Sequence, residues 1–427
     1  MLSPAIASES PVRELEGRRV LVLIHGELAQ SPRMLNHARA LCAAGATVSL
    51  VGYSQLPLPS DLAGMPGLTI RRLSETGGER LDSVPRIFYL PVAASRATRA
   101  SVRLAWFLAA RAGRFDTAIV QTPPALPAGA LALLAARTRH ARLIVDWRGR
   151  TAATLGFRLG RRHPAVHVAD RIERWLAHKA SAHFAASDAM RQDLRERFGI
   201  NSTVLRDRPR RRAAPLSAEQ RLSVLRRVLA ARRALPAPGD TFVLVSPSSF
   251  SAEEDMNMLL DALALVARRS PAVPLLLFAT GYGPLRARFE SRARKISGEN
   301  FRVVTGWLPE PLYRDLLRAA DLGISIHRSA SGVDLPMKVV DMIEAGLPAA
   351  VFDYGPCLSE LVPAALKPFM FTDTEGLAAR VMQLMNGAKL ADLQASTMQE
   401  PGPSWAEEWR RVGLPVIADH ARGPQRG

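Results

Sequence analysis

The feature that most constrains the fold of this 427-residue chain is an alternation of short apolar runs with helical segments. The first apolar run, Arg19–Ile24, precedes a helical pattern over Pro32–Ala44, a stop at Gly45 and a second apolar run over Thr47–Tyr53. Nearly continuous apolar runs are typical of parallel strands that are covered on both faces. The order strand, helix, strand therefore predicts a βαβ unit at the start of an α/β domain.

The alternation continues along the chain and is interrupted once, by an Arg- and Pro-rich stretch over Arg206–Asp240. Further strands are predicted on both sides of this stretch. They lie at Leu68–Arg71, Thr117–Gln121, Leu143–Trp147, His183–Ala186 and Ser202–Leu205 before it, and at Thr241–Ser246, Leu275–Thr280, Arg302–Thr305, Leu322–His327 and Ala349–Asp353 after it.

This pattern predicts two Rossmann-like, doubly wound domains. We place the first at residues 1–215, a linker at 216–240, the second domain at 241–403, and a C-terminal helix and tail at 404–427. Open α/β sheets bind ligands at the carboxyl ends of their strands. Two such domains facing each other therefore predict one active-site cleft between them.

Positive charge is concentrated in the first half of the chain. The whole chain carries 57 Lys and Arg against 39 Asp and Glu, a net charge of +18, of which residues 1–235 carry +21 and residues 236–427 carry −3. Such a half suits an anionic partner, either a membrane surface or a nucleic acid. Aromatic residues make up only 6% of the chain, and base stacking requires them, so nucleic-acid binding is the weaker alternative.

The cysteines and the lengths of the apolar runs indicate the cellular compartment of the protein. Cys42 and Cys357 are far apart, so they give neither a disulfide framework nor metal-ligand spacing, and we expect a reducing, cytoplasmic compartment and no bound metal. Residues 1–16 do not resemble a signal peptide, and no uncharged apolar run reaches the ~18 residues of a transmembrane helix. We therefore expect peripheral attachment to the inner face of the cell membrane.

A basic, amphipathic stretch over Pro85–Ala112 is the candidate for that attachment. Arg96, Arg99, Arg103 and Arg111 alternate there with apolar and aromatic residues. This pattern is typical of a membrane-surface element. A core helix whose arginines face water fits the same residues, and the sequence leaves both interpretations open.

The second domain contains a candidate nucleotide site at Ser329–Pro348. Lys338 lies near a predicted helix start, where a cation and free N–H groups suit a diphosphate. Asp341, on the same helix face, can accept hydrogen bonds from ribose hydroxyls, although a surface Lys–Asp pair on a capped helix is the alternative. Gly281 and Gly283 follow another predicted strand and suit either phosphate contact or a plain tight turn.

The first domain contains candidate catalytic carboxylates. Glu27 follows the first predicted strand and is the first candidate for a general base, and Asp146, at the end of another strand, is the second. Arg33 is a candidate phosphate ligand in the same loop as Glu27. Ser31 is the predicted cap of the following helix, and a simple capping role is also open for Asp146.

Several of these segments, read together, resemble one known family, the chitobiosyldiphosphodolichol beta-mannosyltransferases. The resemblance extends from about residue 18 to about residue 362. The segments that carry it are Ser31–Met34, His37-Ala38, Val51–Tyr53, Gln121–Pro124, Ile144–Trp147, His163-Pro164, Asp207–Pro209, Ser248–Asp255, Gly283–Leu285, Trp307-Leu308 and, as the longest and most specific, Ala320–Met342.

The resemblance implies the GT-B fold and an inverting glycosyltransferase that takes mannose from GDP-mannose. Its acceptor would be a lipid-diphosphate-linked glycan on the cytoplasmic face of the membrane, and this chain would be a bacterial-type relative. The expected donor-binding residues are Ser249, Gly281, Gly283, His327, Ser331, Gly332, Asp334, Met337, Lys338 and Asp341. The expected acceptor- or phosphate-binding residues are Ser31, Arg33 and Arg148.

The chain departs from the family pattern at Glu27, Arg148 and Tyr282, where Asp, His and Lys are usual. Two alternatives therefore stay open beside the mannosyltransferase: a UDP-sugar donor in polysaccharide synthesis and a GT-B scaffold without activity. The net charge of +18 keeps a nucleic-acid-binding protein as a third. No Asp-x-Asp pair is present to hold a metal-bound nucleotide. We expect no cofactor, a single displacement, and a leaving diphosphate held by amides and cations.

Overall fold

The computed structural model describes residues 14–73, 98–125, 127–210, 213–232, 241–385, 388–399 and 402–419. Its strands form two separate sheets. The first contains β1 Arg19–Glu27, β2 Thr47–Tyr53, β3 Leu68–Arg72, β4 Thr117–Thr122, β5 Arg142–Trp147, β6 Ala182–Ala185 and β7 Thr203–Val204. The second contains β8 Phe242–Ser248, β9 Leu275–Gly281, β10 Phe301–Gly306, β11 Leu322–Ser325 and β12 Ala349–Val351.

Both sheets are parallel and doubly wound, which confirms the predicted fold class and each predicted strand. The strand orders are β3-β2-β1-β4-β5-β6-β7 and β10-β9-β8-β11-β12. In the first sheet, Leu23 of β1 is in register with Val51 of β2 and Val120 of β4. The order reverses beside β1 and beside β8, and ligands of open α/β sheets bind at such switch points.

Helices connect most successive strands in both domains. In the first domain they are α1 Pro32–Ala43, α2 at 98–106, α3 Ala128–Thr138, α4 Thr151–Leu159, α5 Pro164–Lys179 and α6 Asp188–Phe198. The later helices are α7 Ala218–Ala231, α8 Met256–Arg269, α9 Arg286–Ile296, α10 Glu310–Ala319, α11 Met337–Glu344, α12 Thr374–Met385, α13 Ala388–Gln399, α14 Trp405–Glu408 and α15 Leu414–Ala418.

The first sheet is covered on both faces, which explains its continuously apolar strands. Leu21 and Leu23 pack in one core cluster with residues of α2, α3, α5 and α6. Val20 and Val22 pack in another cluster with residues of α1, α14 and α15. Alternate residues of one strand thus enter two different cores.

The predicted linker at 216–240 contains a helix of the second domain. Val224, Leu225, Val228 and Leu229 of α7 are buried in the core of the second sheet. Their spacing places them on one helix face, which the many arginines of this segment obscure in the sequence. Residues 233–240 lie outside the described residues.

The C-terminal helices pack in the core of the first domain. Trp405 and Trp409 are buried in the first domain's core cluster, and Trp409 Nε1 donates a hydrogen bond to His37 Nδ1 at 3.1 Å. The chain therefore crosses back over the domain boundary after residue 402. This crossing ties the two domains together at a second point besides the segment before α7.

The basic stretch over Pro85–Ala112 is described from residue 98 onward, and residues 85–97 lie outside the described residues. Leu104 and Phe107 are buried in the core, whereas Val102 and Trp106 are exposed. Among the described residues, no helix is long and apolar enough to cross a membrane.

Candidate active site

A cavity of about 1040 Å³ lies between the carboxyl edges of the two sheets. Loops that follow β4 and β5 line it from the first domain, and loops that follow β8, β9 and β11 line it from the second. Its polar lining includes Gln121, Arg148, Thr154, Glu253, Glu254, Thr280, His327, Asp334, Lys338 and Asp341. The cleft predicted from two facing domains is therefore present and formed by both of them.

Lys338 supplies a positive charge to this cavity. It is the second residue of α11, and its ammonium group forms an ion pair with Glu254. Although burial acts to raise it, the charge of Lys338 lowers the pKa of Glu254. Pro336 precedes the helix without a side-chain cap, so the first N–H groups of α11 have no side-chain partner. A cation beside a free helix start suits a phosphate group.

Arg148 is a second cation in the cavity lining, from the first domain. Its guanidinium makes no hydrogen bond or ion pair with any described residue, and burial lowers its pKa. Its charge is balanced only at longer range, by Asp207, Asp146 and Asp334. A half-buried guanidinium without a direct partner can receive an anionic ligand with little rearrangement.

Glu253 is the lining carboxylate that lacks a partner among the described residues. The other lining acids have partners. Lys338 pairs with Glu254, the hydroxyls of Ser329 and Ser331 donate to Asp334, and Tyr313 donates to Asp341. Arginines pair with the remaining four, which are Asp207, Glu310, Asp315 and Glu344. Burial raises the pKa of Glu253, and Asp334 and Glu254 add to the rise against the attraction of Arg158. A free carboxylate with a raised pKa is suited to accept a proton.

Asp341 lies deep in the same cavity on α11. Tyr313 donates a hydrogen bond from its hydroxyl to Asp341 Oδ2 at 3.2 Å. Burial, reinforced by the charge of Glu344, raises the pKa of Asp341 to about 6. Hydroxyl donors of a ligand would favour the ionised form of this carboxylate, so their binding strengthens as the pH rises through about 6.

Gly281 and Gly283 are required by the packing of their own loop. A Cβ at Gly281 would lie 1.8 Å from the carbonyl oxygen of Ser248, and one at Gly283 would lie 1.7 Å from that of Ser249. The two glycines thus let the loops after β8 and β9 approach closely. Gly281, Ser249 and Tyr282 line the cavity.

The remaining residues predicted to bind the donor divide into two groups. His327, Met337 and Asp334 line the cavity, and burial followed by the charge of Lys338 lowers the pKa of His327. Ser331 and Gly332 are not part of the lining. Ser331 donates to Asp334, and the carbonyl of Gly332 accepts from Cys357 at 3.2 Å, so both shape the loop that presents Asp334.

Arg33 and Asp146 form a buried ion cluster that corrects their predicted roles. Arg33 donates to both carboxylate oxygens of Asp146, at 2.7 and 2.8 Å, and to Asp207 at 2.8 Å. His37 Nε2 lies 3.3 Å from Asp146. The side chains of Arg33 and Asp146 are 0% exposed, so Arg33 cannot contact a phosphate and Asp146 cannot reach an acceptor.

We expect the Asp146→Ala substitution to destabilise the protein by about 3–5 kcal/mol, because it leaves the buried Arg33 charge without its main partner. Burial acts to raise the pKa of Asp146, but Arg33 and His37 hold it far below its ordinary value. The stabilisation is therefore complete above the unfolded pKa of about 4 and lost as the pH falls below it. Urea unfolding of the wild type and the variant at pH 7, and again well below pH 4 as the pH approaches the low folded pKa of Asp146, measures both effects.

The matched control is Asp61→Ala, which removes the partially exposed partner of Arg39. Exposed pairs contribute about 0.2–1 kcal/mol, so this variant should unfold nearly like the wild type. A stable Asp146→Ala protein that has lost catalysis would contradict the structural role and restore Asp146 as a base.

Glu27 and Ser31 lie beside the cavity without lining it. The carboxylate of Glu27 accepts hydrogen bonds from the backbone N–H groups of Gln55 at 2.9 Å and Leu56 at 3.4 Å. Ser31 is buried before α1, and its hydroxyl donates to the carbonyl of Glu27 at 3.4 Å without capping the helix. Both residues fix the loops at the end of β1 and β2.

Glu253, Glu254 and Gln121 lie in segments that carry the family resemblance, but no site role was predicted for them from the sequence. Three consecutive acids, Glu253 to Asp255, follow a predicted strand, and this was a usable signal. Their different partners separate them: Lys338 holds Glu254, and Asp255 caps α8 through the N–H of Met258 at 3.1 Å. Which of the three carboxylates lacks a partner depends on tertiary packing, which leaves the carboxylate of Glu253 without one among the described residues.

Comparison with known proteins agrees with this architecture. Residues 29–206 match the Glycosyl transferase 4-like domain. The chitobiosyldiphosphodolichol beta-mannosyltransferase of Arthroderma benhamiae is 36% identical over 342 residues, which cover 75% of this chain and 76% of that protein. The enzyme of the same name from Eremothecium gossypii is 33% identical over 411 residues, which cover 92% and 84%.

Among solved structures, a UDP-forming trehalose-phosphate synthase from Burkholderia xenovorans matches with a TM-score of 0.61 at 13% identity, covering 93% of this chain and 99% of that one. A likeness at this identity shows the two-domain GT-B fold alone. The sequence relatives show the family, because they are 36% and 33% identical over 75% and 92% of this chain. This chain is a GT-B glycosyltransferase and belongs to the chitobiosyldiphosphodolichol beta-mannosyltransferase family.

Proposed function

We propose that this enzyme transfers mannose from GDP-mannose, with inversion and without a metal ion, to a lipid-diphosphate-linked glycan at the cytoplasmic membrane face. The name of the curated relatives supports both the sugar and the kind of acceptor. The structural observation that carries the proposal is the shared cavity, where the free carboxylate of Glu253 lies with the cations of Arg148 and Lys338. A base and a diphosphate site in one cleft are what a glycosyl displacement requires.

In the proposed reaction, Glu253 takes the proton from an acceptor hydroxyl. The oxygen then forms a bond to the anomeric carbon of the sugar as the bond from that carbon to the phosphate oxygen breaks. The bonding electrons leave with the nucleotide diphosphate, whose negative charge Arg148, Lys338 and the first N–H groups of α11 stabilise. Asp341 accepts hydrogen bonds from the ribose of the nucleotide.

Glu253 thus takes the role that the sequence analysis gave to Glu27 or Asp146. Asp146 is fully buried and cannot contact a substrate. The carboxylate of Glu27 accepts a hydrogen bond from the backbone N–H of Gln55 and does not line the cavity. The donor side agrees with the sequence analysis at His327, Lys338 and Asp341 as proposed ligands. His327 is half-buried just after β11, within the electrostatic influence of Lys338, where it can contact the sugar or its phosphate.

The test is a transfer assay with the purified chain, GDP-mannose and a chitobiosyl diphosphate that carries a short isoprenoid chain. We expect a product heavier by one hexose, formed in excess EDTA, and a β linkage by NMR. Calorimetry should show binding of GDP, which Asp341→Asn weakens while leaving the protein folded. Binding should also weaken as the pH falls below about 6, where Asp341 becomes protonated.

The alternatives give other outcomes of the same assay. Transfer from a UDP-sugar with binding of UDP and not GDP would establish the other donor. Binding of neither nucleotide, with no transfer from any sugar donor, would leave an inactive scaffold. Loss of activity in EDTA that Mg²⁺ or Mn²⁺ restores would contradict metal independence.

A further inference from the structure

The outer surface of the helices on one face of the first sheet carries an unusual set of exposed apolar side chains. Of the ten large apolar side chains that are exposed among the described residues, seven lie on α2 to α5. We call them the apolar helix surface, and they are Val102, Trp106, Leu134, Phe157, Leu159, Val168 and Trp175. Single exposed apolar residues are ordinary, but a cluster of this size marks an interaction site.

These residues lie on neighbouring helices, and α2, α3 and α5 pack their inner sides in one core. Leu104 and Phe107 from α2 and the following turn, Ala132 of α3 and Leu176 of α5 belong to a single core cluster. Helix α3 contacts both the turn after α2 and α5, and α4 packs along α5. The exposed residues of these helices therefore face outward from one continuous layer.

Trp106, Phe157 and Trp175 have the largest rings of this surface, with exposed fractions of 55%, 44% and 43%. Aromatic rings with one polar edge favour the boundary between lipid chains and head groups. Arg111 lies 4.7 Å from the centre of the Trp106 ring, which places a cation directly beside the exposed indole.

The apolar helix surface is bordered by positive charge. Exposed cations on the same helices are Arg99, Arg103, Arg137, Arg158, Arg171, Arg174 and Lys179, and Arg161 and Arg162 are exposed in the turn between α4 and α5. The acids on α2 to α5 are Asp170, which lies near Arg174, and Glu173, which is buried and accepts from the N–H groups of Thr151 and Ala152. An apolar centre with a cationic border complements anionic lipid head groups over a hydrocarbon interior.

One helix links this surface to the active-site cavity. Thr154 of α4 lines the cavity, whereas Phe157 and Leu159 near the end of the same helix are exposed on the apolar helix surface. The charge of Arg158, between them, acts on Glu253 in the cavity. A lipid-linked acceptor could therefore place its diphosphate in the cavity while its chain stays in a bilayer touching α4.

We propose that the outer face of α2 to α5 docks onto the surface of a bilayer that contains anionic lipids. The proposal rests on the proposed function for the nature of the acceptor, but the surface itself is argued from exposure and charge alone. The apolar side chains enter the head-group region, and the arginines around them bind lipid phosphates. The docked enzyme receives its acceptor from the bilayer along α4.

The test is flotation of the full chain with vesicles of phosphatidylcholine, with and without 30% phosphatidylglycerol (about a third anionic lipid, enough for a strongly negative surface). We expect binding to the anionic vesicles, a blue shift of tryptophan emission from Trp106 and Trp175, and release at high salt. The double variant Trp106→Glu/Trp175→Glu should bind at least about tenfold more weakly, because two buried rings are replaced by repelled charges.

Two controls keep the outcome interpretable. Leu222→Glu places a charge at an exposed apolar residue of α7, outside this surface, and should bind vesicles like the wild type. Arg161→Glu/Arg162→Glu changes only exposed side chains between α4 and α5, and should weaken binding even if the tryptophan variant misfolds. Equal binding of the wild type to neutral vesicles, or undiminished binding of both double variants, would overturn the proposal.

A second readout separates this proposal from the proposed function. With the short-chain acceptor in detergent, the tryptophan variant should keep its turnover, since neither residue lines the cavity. With the acceptor embedded in anionic vesicles, its turnover should fall with its binding. Vesicle binding without any transfer activity would refute the proposed function and leave the docking surface standing.

Discussion

The Glu253→Gln variant is expected to lose about 10²–10⁴-fold in kcat while binding GDP as tightly as the wild type. Glutamine keeps the size and polarity of the side chain but cannot accept the proton of the attacking hydroxyl. Among the described acids of the cavity lining, Glu253 is the one whose carboxylate has no hydrogen bond or ion pair, so replacing that carboxylate breaks no contact that holds the cavity. Steady-state transfer kinetics and calorimetry with GDP measure the two quantities.

The pH dependence of kcat is an independent test of Glu253 as the general base. Burial and the neighbouring acids Asp334 and Glu254 raise the pKa of Glu253, so wild-type kcat should rise with pH as this carboxylate ionises. The rising limb reports the base in the enzyme–substrate complex. It should be absent from the residual activity of Glu253→Gln, because the variant has nothing to ionise at that position.

Glu27→Gln is the matched comparison, since it makes the same chemical change at the other candidate base. The carboxylate of Glu27 accepts from the backbone at Gln55 and Leu56, and the amide oxygen of Gln can replace one of these bonds. We expect a change in kcat of less than about tenfold, within what a shifted supporting loop costs. The opposite ranking, with Glu27→Gln inactive and Glu253→Gln active, would return the role of base to Glu27.

The second large effect is expected at Arg148. Arg148→Ala should lower kcat/KM by about 10²–10³-fold, the range found when one preorganised group that stabilises a developing negative charge is removed. Arg148 has no direct partner among the described residues, so its removal leaves no buried charge behind. Lys338 is a less clean test, because its removal would leave the buried Glu254 unpaired.

Arg148→Lys keeps the charge but loses the planar pair of donors, and should lie between the wild type and Arg148→Ala. Arg227→Ala, which removes an exposed arginine paired with Asp315, controls for the change in net charge and should leave kcat/KM unchanged. Equal activity of Arg148→Ala and the wild type would remove Arg148 from the diphosphate site.

The fold was predictable because its signal is local and repeated. Each strand is a short apolar run covered on both faces, and each connection is long enough for a helix, so the pattern in the sequence specifies two parallel sheets. The helix α7 was missed as part of the second domain because its buried stripe, Val224 to Leu229, is set among arginines. The arginines on the exposed face of α7 made the spacing of the apolar residues on its buried face hard to recognise.

The candidate site was predictable only in part. Lys338 and Asp341 lie in the predicted cavity because a single helix, α11, carries both and begins at the strand edge where ligands bind. Asp146 also lies at a strand end, but Arg33 and Asp207 come from distant parts of the chain to enclose it. The spacing of residues along one segment cannot show a partner that arrives from another.

The sequence by itself determined the two-domain architecture, the family and the loops from which the site is built. The tertiary structure decided the state of each ionisable group within those loops. Arg33 and Arg148 are both arginines beside the end of β5, yet one is saturated by buried carboxylates and the other faces the cavity without a direct partner. The physical reason is that burial and pairing depend on contacts between distant segments, whereas strands and helices depend on neighbouring residues.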